Sequence, residues 1–381
     1  MERAAWIDRL KVISIFMVLV VHSTEPFYLG GEGSYIASQS DVFWVAFFDS
    51  IARACVPLFI IASSFLLLPL KYPTATFFRK RLVRVIVPFV VWTVIYAFVW
   101  GEPVNNFRDL LLNFNYSAGH LWFVYMLIGI YLLLPLISPW TEKVSKKELS
   151  FYLIVCFVTT FIPFIRTLCG GEMPVVYGSS GIPNPAKFPL WGEASWNAYG
   201  VFYYFSGFIG YILFSLYVKR FVKELSWKRT LIIGVCPLII GFTVCFWGFV
   251  HLVAVSTGNQ FPAEGAVSLA VLWETPWFYD GVGVALMAIG WTFIYRKLNS
   301  SGNIYSKLTL PLAKASYGVY LCHMVILVEV FAALSGVLEG KLGMWRTPVE
   351  IIATAVITFI VATIASLLLQ RIPRIGKYLV G

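Results

Sequence analysis

A histidine, His22, lies inside the first apolar segment of the chain, eleven residues after Lys11. An α-helix turns about 100° per residue, so eleven residues return the chain to within about 20° of the same face. The two side chains then share one face, about 16 Å apart along the axis. Ionisable groups at membrane depth are costly and usually functional. The pattern favours an anion bound at Lys11 and a proton transferred at His22, whereas a histidine satisfied by a neighbouring backbone or hydroxyl group is the structural alternative.

A second charged pair lies in the next apolar segment, where Asp49 precedes Arg53 by four residues. An unpaired arginine at membrane depth is strongly unfavourable, so Asp49, on the same helical face, is its expected partner. Pro57 interrupts the helix one turn later and frees backbone carbonyls, which then need polar partners or a cavity. The segment predicts an ion pair beside a polar cavity, and both a structural and a functional role remain open.

Two arginines, Arg81 and Arg84, stand three residues apart at the start of the third apolar segment. Two guanidinium groups on one helix face bind phosphate well, because each offers a planar fork of donors. Basic residues at a membrane edge also fix topology and bind lipid head groups. The pair is therefore interpreted either as a phosphate clamp or as a topology signal.

Two further histidines occupy apolar segments. His120 opens the fourth segment within an aromatic cluster, which is also typical of an interfacial belt. His323 lies in the ninth segment, with Tyr320 three and Ser316 seven residues earlier on the same helical face. A packing histidine with a local hydrogen bond is the alternative for His323.

The composition identifies a membrane protein, since 59% of the 381 residues are hydrophobic and only 13% are charged. The six cysteines are scattered singly, so they indicate neither a metal site nor a disulfide framework. We predict an all-α polytopic protein, a bundle of about ten transmembrane helices forming a single domain over 1–381 without an appended soluble domain. The predicted spans are 9–27, 42–70, 82–101, 119–139, 150–166, 198–218, 230–250, 271–295, 311–335 and 348–370.

The connections between these spans alternate in charge. One set holds most of the basic residues, in the terminal regions, around 71–84, 143–147, 219–229 and 296–314. By the positive-inside rule this set is cytoplasmic, and so are both termini. The net charge of +10 is thus a topology signal, and no nucleic-acid partner is implied. The sequence after His22 is no small-residue cleavage site, which favours a retained first helix.

Five motifs, in order along the chain, give it a family resemblance. The chain resembles the type 3 integral-membrane acyltransferases, which O-acylate bacterial cell-surface glycans and related molecules. The first motif, Arg-x10-His preceded by Asp-x-Leu, stands here with Lys11 in place of the usual Arg, which keeps the charge but not a bidentate contact. The motifs comprise Asp8, Leu10, Lys11 and His22; Arg53, Val56, Pro57, Leu58, Phe59 and Ser63; Arg81 and Arg84; His120, Leu121, Trp122, Phe123 and Tyr125; and the run from Ser316 through Tyr320 to His323.

The resemblance implies an acyl-coenzyme A donor, usually acetyl-CoA, on the cytoplasmic side of a bacterial inner membrane. It implies that His22 is the catalytic base. We expect no metal and no permanently bound cofactor, because the sequence holds no His–Glu metal motif. We assign catalysis to His22 with Arg53 and Asp49, and coenzyme A binding to Lys11, Arg81 and Arg84. Substrate binding is assigned to His120, Trp122, Tyr125, Ser316, Tyr320 and His323.

The expected mechanism joins these assignments. The pantetheine arm of coenzyme A extends over roughly 15–20 Å, similar to the separation of Lys11 and His22. His22 would take the proton from an acceptor hydroxyl, which attacks the thioester, while Arg53 orients the acceptor or stabilises the oxyanion. A covalent acyl-histidine step is the variant. The acceptor is expected to enter under the loop 167–197, rich in Gly, Pro and Trp.

Other functions remain open on the sequence. A transporter or flippase of a lipid-linked saccharide would also use buried charges and a polar cavity, although its usual inverted repeats are not evident. A non-catalytic sensor or assembly subunit is a third class. Among enzymes, a succinyl or longer donor and a non-glycan acceptor are alternatives. Expected partners are acyl-CoA, a glycan or lipid-linked saccharide and membrane lipids; oligomeric state is unassigned.

Overall fold

The computed structural model describes residues 5–30, 33–100, 118–168, 191–192, 199–298 and 305–381. Among these residues, eight helices are long and apolar enough to cross a membrane. They are Gln39–Leu67, Thr74–Trp100, Gly119–Lys143, Lys146–Ile165, Trp227–Thr257, Thr275–Lys297, Tyr305–Leu338 and Gly343–Gln370. Each coincides with a predicted span, and the prediction of an all-α polytopic membrane protein is confirmed. The other two predicted spans contain shorter or more charged helices, Ala5–Thr24 and Ile209–Phe221.

Helices dominate because a chain in lipid must satisfy its own backbone hydrogen bonds. The helices are α1 (Ala5–Thr24), α2 (Gln39–Ala52), α3 (Cys55–Leu67), α4 (Thr74–Arg81), α5 (Val87–Trp100), α6 (Trp122–Lys143), α7 (Lys146–Thr159), α8 (Ile162–Leu168), α9 (Ile209–Phe221), α10 (Trp227–Thr230), α11 (Cys236–Thr257), α12 (Val267–Trp273), α13 (Val282–Lys297), α14 (Leu310–Leu338), α15 (Arg346–Gln370) and α16 (Gly376–Leu379). The strands are β1 (Leu29–Gly30), β2 (Gly33–Ile36) and β3 (Ala263–Ala266).

Contacts divide the chain into two compact units. The first comprises Met1–Leu66, Val144–Ser300 and Leu342–Ile351, and the second Leu67–Lys143, Ser301–Lys341 and Ile352–Gly381. That 1–381 acts as one functional domain stays a prediction.

The core of the first unit is the pair α11 and α13, with α1 and α2 packed beside it. Glycines allow the close approach of α11 to α13. A Cβ added at Gly241 would lie 2.3 Å from the carbonyl oxygen of Gly283, far inside van der Waals contact. Small residues at such crossings are typical of helices packed within a membrane.

A small antiparallel sheet, in the order β1-β2-β3, joins two distant parts of the first unit. Leu29 pairs with Ser34, and Gly33 pairs with Ala266. The sheet thereby brings the segment after α1 close to the segment that leads through α12 towards α13. Both segments contribute side chains to the candidate site.

The helix is interrupted as Pro57 predicts, but the break lies one turn before Pro57, which itself belongs to α3. The helix α2 ends at Ala52 and α3 begins at Cys55, so the break falls at Arg53 and Ala54. A proline has no N–H to donate to the carbonyl four residues earlier, and for Pro57 that residue is Arg53. The break therefore follows directly from the sequence and places Arg53 at the junction.

In the second unit, α5 packs against α14 and α16. The Tyr96 hydroxyl donates to the Leu321 carbonyl at 2.9 Å, and the indole of Trp92 donates to the Leu379 carbonyl at 2.8 Å. Polar side chains thus satisfy main-chain acceptors on neighbouring helices.

Candidate active site

The last turn of α1 carries His22, and its partner is Glu25, the first residue of a short 3-10 turn. The Nδ1 atom of His22 lies 2.9 Å from Oε1 of Glu25. The side chains are 16% and 29% exposed, respectively. A carboxylate at Nδ1 holds the ring proton there and orients the imidazole, so Nε2 becomes the basic nitrogen. This is the arrangement of a positioned general base.

A buried ion pair lies beside this dyad. Both carboxylate oxygens of Asp49 accept from the guanidinium of Arg53, through Nε and through Nη2 at 3.2 Å. The Asp49–Arg53 pair predicted from the sequence is confirmed. Thr24, two residues after His22, donates from Oγ1 to Oδ2 of Asp49 at 2.7 Å and so ties α1 to α2. Asp49 and Arg53 also act electrostatically on His22, so these groups form one site.

Arg53 extends the site to Tyr28, which directly precedes β1, and to Glu274, which directly follows α12. Its Nη2 donates to the Tyr28 hydroxyl at 3.2 Å and lies 3.4 Å from Oε1 of Glu274. The Tyr28 hydroxyl in turn donates to Glu274 at 2.5 Å. Two carboxylates, Asp49 and Glu274, therefore compensate one buried guanidinium, which such a charge requires.

Aromatic rings form one wall of this site. The guanidinium of Arg53 lies 4.9 Å from the ring centre of Trp277 and 5.9 Å from that of Tyr279. Trp277 is fixed by a hydrogen bond from its indole to Ser50 at 2.9 Å and by stacking on Phe249 at 4.1 Å. Cation–π contacts of this kind stabilise a desolvated arginine. The rotamer of Arg53 is thus held from several directions.

Lys11 and His22 lie on one continuous helix, so their shared face and axial separation of about 16 Å follow from helical geometry. Lys11 is half-buried. Ile15 and Val18 lie between them on that face, and both side chains are buried. A ligand arm running from Lys11 to His22 would have to displace these side chains or pass beside them.

In the second unit, Arg81 directly precedes a π-helical turn, Leu82–Ile86, and Arg84 lies within that turn. Arg81 is half-buried and lies 5.5 Å from the ring centre of Tyr131. Its Nε is buried and has no hydrogen-bond partner among the described residues, and the side chain lines a cavity of about 230 Å³. Arg84 is exposed. The two arginines thus have different surroundings.

The second unit also brings three of the predicted substrate-binding residues together. The rings of His120 and His323 lie 5.3 Å apart, and the Tyr320 hydroxyl donates to the His120 carbonyl at 2.9 Å. The Nδ1 of His323 lies 2.6 Å from the Tyr320 carbonyl, and Tyr96 packs edge-on against His120 at 4.6 Å.

The other predicted substrate-binding residues have different neighbours. Ser316 donates to the Ala313 carbonyl at 3.0 Å, as serines in membrane helices often do. Trp122 contacts Phe123, and Tyr125, which is 40% exposed, contacts Phe89. These contacts of the three residues are local or peripheral to the histidine cluster.

The sequence reasoning missed Glu25, Tyr28 and Glu274 as site residues. Glu25 had a local signal, because it stands three residues after His22, a spacing at which helical side chains meet. Tyr28 and Glu274 reach Arg53 only through the tertiary fold, 25 and 221 residues away in sequence.

Nearly all of the loop 167–197, proposed as the acceptor entrance, lies outside the described residues. Within the described ranges, no group of three or more His, Cys, Asp or Glu side chains is placed to hold a metal ion.

Comparison with known families supports an acyltransferase. A family model described as an acyltransferase domain matches residues 4–369, nearly the whole chain. The chain itself has no significant match among curated proteins or solved structures. The match includes both the His22–Glu25 dyad and the Asp49–Arg53 pair. The chain therefore belongs to the acyltransferase 3 family of integral-membrane acyltransferases.

Proposed function

We propose that the protein is an O-acyltransferase that moves an acetyl or other short acyl group from acyl-CoA to a hydroxyl of an extracytoplasmic or lipid-linked glycan. The observation that carries the proposal is the His22–Glu25 dyad beside a compensated Arg53, inside a chain of an acyltransferase family. A positioned imidazole next to a fixed cation suits attack of a hydroxyl on a thioester.

The proposed reaction has two steps. In the first, Nε2 of His22 takes the proton of the acceptor hydroxyl as its oxygen bonds to the thioester carbonyl carbon, and a tetrahedral oxyanion forms. In the second, the oxyanion collapses, the carbon–sulfur bond breaks, and the thiolate of coenzyme A receives the proton from the imidazolium. Glu25 holds the imidazole in one orientation throughout and stabilises the imidazolium, as a carboxylate does in a hydrolase triad.

Arg53 is proposed to stabilise the oxyanion. Among the described residues, its hydrogen bonds use Nε and Nη2. Nη1 is then the guanidinium nitrogen left to donate to a ligand. Because Asp49 and Glu274 fix the side chain before substrate arrives, little reorganisation is needed when charge develops, which is the condition for efficient electrostatic catalysis.

Donor binding is assigned to Lys11, Arg81 and Arg84, whose charges suit the phosphates of coenzyme A. The buried, unpartnered Nε of Arg81 supports an anionic ligand at that side chain. The cluster of His120, Tyr320 and His323, with Trp122, Tyr125 and Ser316, is assigned to the acceptor. By the charge alternation of the loops, both termini are proposed to face the cytoplasm of a bacterial inner membrane.

Two experiments test this function. Mass spectrometry of surface glycans from cells with and without the gene should show an acyl group that depends on the protein, and identical glycans would contradict a glycan acceptor. The purified protein should bind coenzyme A, and Arg81→Ala combined with Arg84→Ala should raise the Kd at least about tenfold. The matched control, Lys146→Ala combined with Lys147→Ala, removes the same charge elsewhere and should leave the Kd unchanged. Equal Kd values for the two double variants would show that Arg81 and Arg84 do not bind the phosphates of coenzyme A. Absence of coenzyme A binding in the wild type would favour a transporter.

A further inference from the structure

A polar cavity in the first unit lies where α1 begins and α13 ends. Its volume is about 330 Å³, within the range of small-molecule sites. Its lining includes Trp6 of α1, Phe293, Arg296 and Lys297 of α13, and Glu224 from the segment after α9. None of these residues belongs to the catalytic site described above.

The cations of this cavity are held in place but not fully satisfied. Nη2 of Arg296 donates to the Val222 carbonyl at 2.5 Å, whereas its Nη1 is buried and has no hydrogen-bond partner among the residues the structure describes. Nζ of Lys297 donates to the Leu225 carbonyl at 2.8 Å. A buried guanidinium nitrogen without an acceptor is costly, so a ligand oxygen is the expected partner.

Glu224, the one acid among the described lining residues, does not fill that role. Oε1 of Glu224 lies 3.4 Å from Nζ of Lys297, and the Glu224 side chain is 90% exposed. Such a solvated ion pair contributes little, and among the described residues no carboxylate is hydrogen-bonded to the Arg296 guanidinium. The cavity therefore carries net positive charge and suits an anion.

Aromatic side chains form part of the cavity wall. Trp6 and Phe65 pack edge to face with ring centres 4.9 Å apart, and Trp6 and Phe293 are buried. Flat apolar walls beside a guanidinium suit a ligand that combines an aromatic base with a phosphate. A lipid head group shares the phosphate but offers no aromatic ring.

We propose that this cavity binds the phosphorylated adenosine end of the acyl-CoA donor, with a phosphate on Arg296 and the adenine against the aromatic lining. The proposal rests on the function proposed above and names a donor subsite for it.

The length of α1 is compatible with this subsite. Trp6 and His22 are sixteen residues apart on one helix, about 24 Å along its axis. The pantetheine arm reaches roughly 15–20 Å when extended, and the diphosphate bridge adds to that reach. A nucleotide at the start of α1 therefore brings its thioester to the level of His22.

The test measures binding of adenosine 3′,5′-bisphosphate to the full protein in nanodiscs of phosphatidylcholine. Arg296→Gln removes the charge and should raise the Kd at least about tenfold, since hydrogen bonds to charged groups are the stronger ones. The matched control is Arg229→Gln, an exposed arginine outside the cavity lining, which should leave the Kd unchanged. Equal Kd values for the two variants would overturn the subsite.

Hydrogen–deuterium exchange and a change of lipid complete the test. If Arg296→Gln does not fold, hydrogen–deuterium exchange of the wild type replaces it: the bisphosphate, but not adenosine, should protect residues 222–230, and no protection would overturn the subsite. In nanodiscs of phosphatidylglycerol the bisphosphate should still bind, and loss of binding there would assign the cavity to lipid phosphate instead. Coenzyme A binding that persists while the subsite fails leaves the acyltransferase proposal intact, whereas a wild type that binds no coenzyme A contradicts that proposal itself.

Discussion

Replacing Glu25 by glutamine isolates the contribution of the His22–Glu25 dyad. The substitution keeps the size of the side chain but removes its charge, and an amide N–H facing Nδ1 favours the tautomer in which Nε2 carries the proton. The ring can then no longer act as a base at Nε2. Glu25 is a positioning residue, because it acts through His22 rather than on the substrate.

The expected magnitude follows from the exposure of the pair. General acid–base catalysis contributes about 10²–10⁴-fold, and in a fully buried triad the change from carboxylate to amide costs about 10⁴-fold. Here the hydrogen bond is a single 2.9 Å contact and Glu25 is 29% exposed. Solvent screening therefore places the effect near the lower end. We expect kcat to fall about 100-fold, which corresponds to about 2.7 kcal/mol in the barrier.

The assay follows the transfer of radiolabelled acetyl groups from acetyl-CoA to the glycan fraction of membranes that contain the acceptor. Glu25→Gln should lower kcat while the KM for acetyl-CoA changes less than about threefold, and Glu25→Asp should recover part of the rate. Glu264→Gln, at an exposed position on β3, is the control with the same charge change and should behave as the wild type. A Glu25→Gln variant with normal kcat and an unaltered pH profile would refute the role of the dyad.

Two stability predictions follow from the packing of the first unit. Asp49→Asn removes one partner of the buried ion pair, and leaving a buried charge unpaired costs about 3–5 kcal/mol of stability. Because Glu274 also lies near Arg53, we expect the loss at the lower end of that range. The apparent Tm in detergent should therefore fall clearly, and an unchanged Tm would contradict the stabilising role of the pair. Gly241→Ala should also lower the Tm, by about 1–3 kcal/mol of overpacking, because the added Cβ meets the Gly283 carbonyl. Gly129→Ala on α6 is its control, since a Cβ added there meets no heavy atom from elsewhere in the described chain within 4 Å. Equal losses of Tm in the two variants would show that close helix approach is not the cause.

The helices of this protein were largely predictable because the length of an apolar run fixes whether it spans a bilayer. The predicted span 42–70 is the helix pair within Gln39–Leu67, and its break at Arg53 follows from Pro57. The small sheet was not predictable. Its strands are two to four residues long, and β3 lies more than 200 residues after β2.

The candidate site divides in the same way between local and distant contacts. The pair of Asp49 and Arg53 was predicted because four residues separate partners on one helical face. The contact of Arg53 with Glu274 depends on the packing of helices far apart in sequence, and no local pattern encodes it. The shared face of Lys11 and His22 also followed from periodicity. The burial of Ile15 and Val18 on that face did not, because it depends on tertiary packing.

The base itself is tested most directly by single-turnover transfer of labelled acetyl from acetyl-CoA to the acceptor. His22→Ala should abolish transfer and leave coenzyme A binding largely intact, because the variant lacks the nitrogen that takes the proton. His251→Ala, at an exposed position outside the site, should transfer normally. Transfer by His22→Ala at the rate of the wild type would contradict the assignment of His22 as the catalytic base.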